Sequence, residues 1–528
     1  MILQVLAQIP TDGVTAPLVE ESTSRLVTPR IPWSYLTPQL ILFLGAVIGV
    51  ALVALLPKRL PKYLSALATV VLAAGTLVSI VPLWGRVGNA REGAISAWSG
   101  AIGVDRFGLF VTALICLAVL VTALFADSYL RREGLDGPEF YLLLMTAAFG
   151  ASIMAISNDL IVLFVGVEIL SISSYVLTAM HARRVTSQEA GLKYLVLGGF
   201  ASAVLLYGLA LIYGATGSTN LLQIQVFLSE RVLTSDGLLL GGLGLMMAGF
   251  GFKVGAAPFH MWTPDVYQGA PTPVSGFMAS AVKTAAFAGM IRVFVVGFGS
   301  AAELWRPIVF VMAVLSLLVG SIVSVVQSNV KRMLAYSSIA HAGFILLGVH
   351  SATERGTSAA LFYLAAYTAM ALGSFGIVAL AARRGEHLQK LSDLRGFATA
   401  HPGLALAFAL LLFAQSGVPL TGGFIAKLGV IGAAVDQGDW ALAVVAMITA
   451  VISTFMYLRI IVSMFFVGGG DHGEEPAGFE GPPVNVSWTS MVGLGIVVVA
   501  TLFLGILPGT VKHWSNQAVV EMVRDSGR

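Results

Sequence analysis

The chain has 528 residues, of which 57% are hydrophobic and only 11% are charged. Soluble globular domains carry about 25% charged residues, so the composition excludes a soluble enzyme and describes a polytopic membrane protein. The formal charge of +3 sits mainly in short loops and gives no sign of a nucleic-acid partner, while the single cysteine, Cys116, leaves no internal disulfide or cysteine-ligated metal centre.

The opening MILQVLAQIP lacks a basic n-region and runs into polar residues, so no cleaved signal peptide is expected. A helix needs about 20 apolar residues to cross the hydrocarbon core. Fourteen such segments follow one another at 36–56, 63–84, 107–130, 139–157, 159–180, 187–214, 236–258, 271–298, 306–327, 331–350, 358–383, 402–434, 438–467 and 487–508. Segments 12 and 13 are long enough for tilt or a break. The stretch 85–105, between segments 2 and 3, reads as an external hairpin or surface turn.

Lysines and arginines set the orientation. The odd loops hold Lys58, Arg59, Lys62, Arg131, Arg132, Arg183, Arg184, Lys331, Arg332, Arg383, Arg384, Lys390 and Arg395. The even loops hold Arg86, Arg91, Arg106, Arg231, Arg306 and Arg355. Thirteen against six places the odd loops in the cytoplasm and both termini outside. The loop 471–483 is acidic and carries no basic residue.

Segment 7 contains GFKVGAAPFH and segment 12 contains QSGVPLTGGF. Proline removes a backbone donor and clashes with the preceding turn, and glycine permits unusual backbone angles. The pairs Gly255/Pro258 and Gly417/Pro419 therefore predict two helices broken near mid-membrane. Freed backbone groups there need a polar cavity or protein around them. Five segments separate the breaks, so the two helices run in opposite directions, as an inverted repeat requires; two ordinary proline kinks are the plainer alternative. The expected organisation is an external segment 1–35, helices 1–3 over 36–138, a first five-helix unit (helices 4–8) over 139–298, an inverted second (helices 9–13) over 306–467, and an acidic loop, helix 14 and tail over 468–528.

Four lysines lie inside apolar stretches: Lys193, Lys253, Lys283 and Lys427. An ammonium at bilayer depth costs at least ~2.5–3.5 kcal/mol, which points to a charge pathway. Glu168 lies nine residues into segment 5, roughly 14 Å deep at ~1.5 Å per residue. It pairs with Lys253 or sits protonated in a structural hydrogen bond. A carboxylate at ~4 Å is worth roughly 4 kcal/mol to an ammonium at an effective dielectric of about 20. Opening and closing such a pair would load and unload a proton. Lys193 lies shallow enough to snorkel to the cytoplasmic face. His341 in segment 10 is either a proton shuttle or a satisfied core histidine. His260 lines a channel mouth or anchors a loop. Arg459 and Asp265 are weaker candidates.

On these residues the chain resembles the antiporter-like membrane subunits of respiratory complex I, and most closely those of the subunit N type; these are related to subunits of multisubunit cation/proton antiporters. The stretches that carry the resemblance are EAGLKYLVLGGFASAVLLYG (189–208), FKVGAAPFHMWTPDVYQGAPTPVSGFMASAVKTAAF (252–287), VKRMLAYSSIAHAGF (330–344) and SGVPLTGGFIAKL (416–428). The resemblance implies an all-α fold of about fourteen transmembrane helices with two inverted five-helix repeats. It implies that Glu168 stands beside the helix-7 lysine Lys253, that Lys283, Lys427 and Lys193 are the lysines of helices 8, 12 and 6, and that Lys253, Lys283, His341 and Lys427 line a polar axis. The long lateral C-terminal helix of the largest such subunit has no counterpart, which argues against that subunit. The implied activity is proton translocation in a bacterial NADH:quinone oxidoreductase of the plasma membrane. No cofactor is expected in this chain; NADH, FMN, iron–sulfur clusters and quinone belong to other subunits, and the partners are other complex I membrane subunits and the bilayer. A subunit of a multisubunit sodium/proton antiporter and a standalone secondary transporter are the alternatives.

Overall fold

The computed structural model describes residues 33–55, 62–87, 95–230, 237–382, 389–466 and 486–525. The loop charges Lys58, Arg59, Arg91, Arg231, Arg383 and Arg384, the acidic loop 471–483 and most of the N-terminal segment lie outside them. Among the described residues, thirteen helices are long and apolar enough to cross a membrane.

The first six helices are α1 (Thr37–Leu55), α2 (Lys62–Val87), α3 (Arg106–Glu133), α4 (Pro138–Ile156), α5 (Leu160–Ala179) and α6 (Val185–Thr216). A two-stranded hairpin, Ile95–Ala97 against Ile102–Val104, fills the stretch between α2 and α3. Short polar side chains start several helices by accepting orphan amides of the first turn. Asp105 accepts from Gly108 N at 2.7 Å and Asp159 from Ile161 N at 2.8 Å. A short helix, α7 (Leu221–Glu230), follows α6; the sequence reading assigned no element there.

Segment 7 is broken as expected, into α8 (Gly237–Val254) and α9 (Trp262–Gly269). The second half extends beyond the expected limit at 258. Gly255 takes a φ of +68°, which only glycine adopts without strain. The freed backbone groups find partners in protein. Trp262 Nε1 donates to the Phe252 carbonyl at 3.0 Å, and Ala257 N donates to Ser316 Oγ at 2.9 Å. Segment 8 is one helix, α10 (Thr272–Gly297), with π-helical turns at Met278–Val282 and Arg292–Gly297.

Then come α11 (Ala302–Val326), α12 (Val330–His350) and α13 (Glu354–Ala381). Segment 12 is two half-helices, α14 (Pro402–Ser416) and α15 (Gly422–Asp436), with Gly417 at φ +94° and Pro419 exposed in the turn between them. That turn thus lies at the surface, whereas the sequence called for burial or a polar cavity. Here Gly417 N and Val418 N bond back to the Phe413 carbonyl at 3.1 Å, so the amides are satisfied by the helix end itself. The last helices are α16 (Trp440–Phe465), unbroken despite its length, α17 (Trp488–Ile506) and α18 (Gly509–Asp525), the last absent from the sequence reading.

The centre of the molecule is α10, α12 and α13. The most apolar windows of the first two are 94% buried and that of α13 is 100%, against 22% for α1 and α2. The sequence of α13, with apolar and small residues all round, has no solvated face to offer. Helix backbones touch where side chains are minimal: a Cβ at Gly320 of α11 would lie 2.4 Å from Ala340 N of α12.

Candidate functional site: a buried lysine–histidine axis

Lys253 ends α8 just before the break, with its side chain buried. Its ammonium donates to Ser171 Oγ at 2.8 Å and lies 3.4 Å from Tyr175 Oη. Both partners lie on α5, three and seven residues beyond Glu168, so the three share one helix face. Glu168 stands within electrostatic reach of Lys253. The expected direct pair is nevertheless not formed. Among the described residues no basic nitrogen comes within 4.0 Å of the Glu168 carboxylate, and its buried Oε1 has no hydrogen-bond partner. The ammonium rests on a neutral hydroxyl one helical turn away, roughly 4.5 Å along α5.

Lys283 follows directly on the first π-helical turn of α10. Its ammonium donates to both the carbonyl and the hydroxyl of Ser338 on α12, each at 2.6 Å, and lies 5.8 Å from the Tyr367 ring centroid. Lys427 lies in α15, and its side chain folds back across Gly417, where a Cβ would lie 3.1 Å from its Cδ. Its ammonium donates to the Ser416 carbonyl at 2.8 Å, 5.0 Å from the Phe344 ring.

His341, on α12, lies within electrostatic reach of both Lys283 and Lys427. Its Nδ1 is 2.7 Å from Tyr363 Oη and its Nε2 is 3.0 Å from Tyr457 Oη. A hydroxyl can donate or accept, so either neutral tautomer of His341 is satisfied and the two can exchange. Tyr457 Oη is also 2.5 Å from Ser337 Oγ, which lies 3.5 Å from Gln415 Oε1. Gln415 donates to Ser374 Oγ at 2.7 Å. Ser337 neighbours the Lys283 partner Ser338, and Gln415 neighbours the Lys427 partner Ser416. The second half of the axis is therefore one polar cluster.

Between Lys253 and Lys283 the contacts are of another kind. The rings of Tyr175, Tyr194, Trp262 and Tyr267 follow one another at centroid separations of 4.7, 4.6 and 6.1 Å. Only Tyr194 and Trp262 stack face to face; the other two contacts are edge-to-face.

Lys193 sits apart from the axis. Its half-exposed side chain pairs with Glu189 at 2.7 Å and Asp265 at 3.0 Å, matching the shallow position read from sequence. Asp265, on α9, also binds Arg332 of α12 at 2.6 Å. Burial pushes the Asp265 carboxyl up, but Arg332 and Lys193 outweigh it and hold the group below the usual carboxylate range. A cavity of about 240 Å³ lined by Arg184, Glu189, Lys193, Asp265, Gln268 and Gln389 opens beside this junction. His260 is half-buried in the break beside exposed Pro258, its carbonyl accepting from Thr263 N at 2.9 Å and its buried Nδ1 lacking a hydrogen-bond partner among the described residues. Arg459 caps carbonyls at the end of α11, donating to Val325 O and, at 3.4 Å, to Gln327 O. Lys331, counted from sequence as a loop charge, is fully buried and donates to the Ala270 carbonyl at 2.6 Å.

Sequence reasoning missed the hydroxyl partners Ser171, Tyr175, Ser337, Ser338, Tyr363, Tyr367 and Tyr457, and the buried Arg292. Tyr363, Tyr367 and Ser374 recur at helical spacing on α13, a polar stripe on an otherwise apolar helix, which was the available signal. Arg292 pairs with both Asp105 oxygens at 2.8 Å and donates to Ala155 O and Asn158 Oδ1 at 3.0 and 2.8 Å.

The many-helix fold with two broken helices and lysines on a buried polar axis defines an antiporter-like membrane protein. Residues 157–453 match the family described as NADH:quinone oxidoreductase/Mrp antiporter, transmembrane, and the chain belongs to that family. It is 38% identical to NADH-quinone oxidoreductase subunit N of Trichlorobacter lovleyi over 91% of this chain and 96% of that protein, and 43% identical to subunit N 1 of Herpetosiphon aurantiacus over 78% and 84%. Among solved structures, a chain of respiratory complex I from Thermus thermophilus superposes with a TM-score of 0.74 at 33% identity, covering 90% of this chain and 98% of that one. A chain of the Mrp complex from Dietzia superposes with a TM-score of 0.82 at 21% identity, covering 94% and 98%, and shows the shared fold. Within the family the chain stands with the N subunits of NADH-quinone oxidoreductases.

Proposed function

We propose that this chain moves protons across a bacterial plasma membrane along Lys253, Lys283, His341 and Lys427, as part of an NADH:quinone oxidoreductase. One observation carries the reading. Among the described residues none of the axis lysines Lys253, Lys283 and Lys427 has a carboxylate within 4.0 Å. Lysines kept for structure are expected to be ion-paired at such depth. These three rest on hydroxyls and carbonyls, neutral acceptors that leave the ammonium free to give up its proton.

NADH oxidation and quinone reduction, with FMN and iron–sulfur clusters, take place in other subunits. Neighbouring membrane subunits deliver the coupling signal by shifting Lys253 between Ser171 and Glu168. Lys193, Asp265 and His260 border the cytoplasmic uptake side in the orientation set by the loop charges, with both termini outside. The test is purification of the tagged chain from native membranes. Co-purifying flavin and iron–sulfur subunits with NADH:quinone activity support the reading; a complex lacking them and exchanging sodium for protons would replace it with the antiporter reading.

A further inference from the structure

A second histidine ends α12, one helix length from the Asp265 junction. There the start of α11 and the residue before α16 converge on His350. Its Nδ1 lies 3.1 Å from the Arg306 carbonyl oxygen and its Nε2 lies 3.0 Å from Asp439 Oδ2. The carbonyl is an acceptor only, and so is an ionised carboxylate. A neutral imidazole has one N–H and cannot serve both. The geometry therefore demands one proton more than a neutral imidazole and a carboxylate supply together. His341, whose nitrogens face two hydroxyls, makes no such demand.

We propose that His350 and Asp439 form a second proton-binding site, which holds a proton between Nε2 and Oδ2 at the external end of the second helix unit. Arg306 keeps the Asp439 carboxylate ionised rather than protonated, because its guanidinium lies 3.4 Å from the same Oδ2, and its Nε donates to the His350 carbonyl at 2.9 Å. Phe310 of α11 packs against the imidazole at 5.6 Å. Of the other charged groups at this end, Arg355 of α13 and Asp436 of α15 pair with each other, and Glu303 and Glu354 are exposed in the first turns of α11 and α13. Accessibility is graded: His341 and His350 are buried, and the Asp439 side chain is 25% exposed. Between the two histidines, Ala342–Val349 offer no hydrogen-bonding side chain. The dyad is thus a terminal station, separated from the axis by an apolar stretch and open to the outside through Asp439.

The assignment rests on the translocation reading, and the test separates the two. The assembled complex in proteoliposomes is compared with His350→Gln, Asp439→Asn and Lys427→Ala variants. Proton delivery per quinone reduced is read as a function of external pH, with quinone reduction followed in parallel. A dyad that must release its proton outward gives wild-type delivery a limb that declines as external pH falls, and both dyad variants lose that limb. The amide of the His350→Gln variant still donates to Asp439, so a purely bracing role leaves the pH profile intact. Asp439→Asn serves the test if His350→Gln does not assemble, since a carboxamide can donate to Nε2 and remove the need for the extra proton. If Lys427→Ala lowers delivery while the dyad variants keep the wild-type profile, the dyad assignment is overturned alone. If Lys427→Ala also changes nothing, the translocation reading falls with it.

Discussion

Ser171 holds Lys253 away from Glu168, so Ser171→Ala should close the pair. A hydrogen bond to a charged group is worth about 1.5–3 kcal/mol. A carboxylate at ~4 Å is worth roughly 4 kcal/mol to an ammonium at an effective dielectric of about 20. The two terms are of the same order, so loss of the hydroxyl can tip the arrangement. Removing the hydroxyl cancels the term that favours the open form, a shift of roughly ten- to a hundred-fold in the equilibrium. Tyr175 Oη, at 3.4 Å, offers only a long contact as a substitute. The assay is proton delivery per electron by the assembled complex in sealed vesicles, with NADH:quinone turnover measured on the same preparation. The expected outcome is lower delivery per electron at normal assembly, because a closed pair keeps its proton. Wild-type delivery in Ser171→Ala would refute the switch geometry.

Three further outcomes follow from named contacts. Tyr457→Phe removes the hydroxyl joining His341 to Ser337 and should lower proton delivery more than Tyr363→Phe, since Tyr457 also bonds Ser337 whereas among the described residues Tyr363 bonds His341 alone; equal effects in the same vesicle assay would contradict the relay. Arg292→Gln leaves Asp105 buried without its cation, a change that costs about 3–5 kcal/mol, so the thermal stability and membrane abundance of the subunit should fall sharply. The Asp265 carboxyl is held below its ordinary value, so its contribution to the α6–α9–α12 junction is present above the unfolded carboxylate range and is lost as pH falls through the depressed folded value. Protection of the amides at the start of α6 against hydrogen exchange, taken relative to their intrinsic rates, should fall only at acid pH in the wild type, and be low throughout this range in Asp265→Asn.

The apolar segments and the two Gly/Pro clusters made the fourteen-segment pattern and both breaks legible in the sequence, because bilayer thickness and backbone satisfaction leave few alternatives. The buried lysines were equally legible, because a charge in an apolar run is costly. The partners were not. Serine and tyrosine in a transmembrane helix read as ordinary packing residues, and only three-dimensional placement reveals that Ser338 holds Lys283 or that two tyrosines bracket His341. The Glu168–Lys253 pair was inferred from charge complementarity and from the family resemblance; the structure instead bonds Lys253 to Ser171, one turn further along the same helix. Lys331 was misjudged because a basic residue at a helix start looks like a loop charge until the carbonyl of Ala270 is seen to receive it. The amphipathic α7 and α18 fell below the length and apolarity of a crossing helix.

The central claim is that the lysine axis carries the translocated proton and that Lys253 is its switch. It is tested most directly by the proton-to-electron ratio of the assembled complex bearing Lys253→Ala, measured beside Glu168→Ala. The account predicts a lower ratio in both at normal subunit content. A full wild-type ratio in both variants would contradict it.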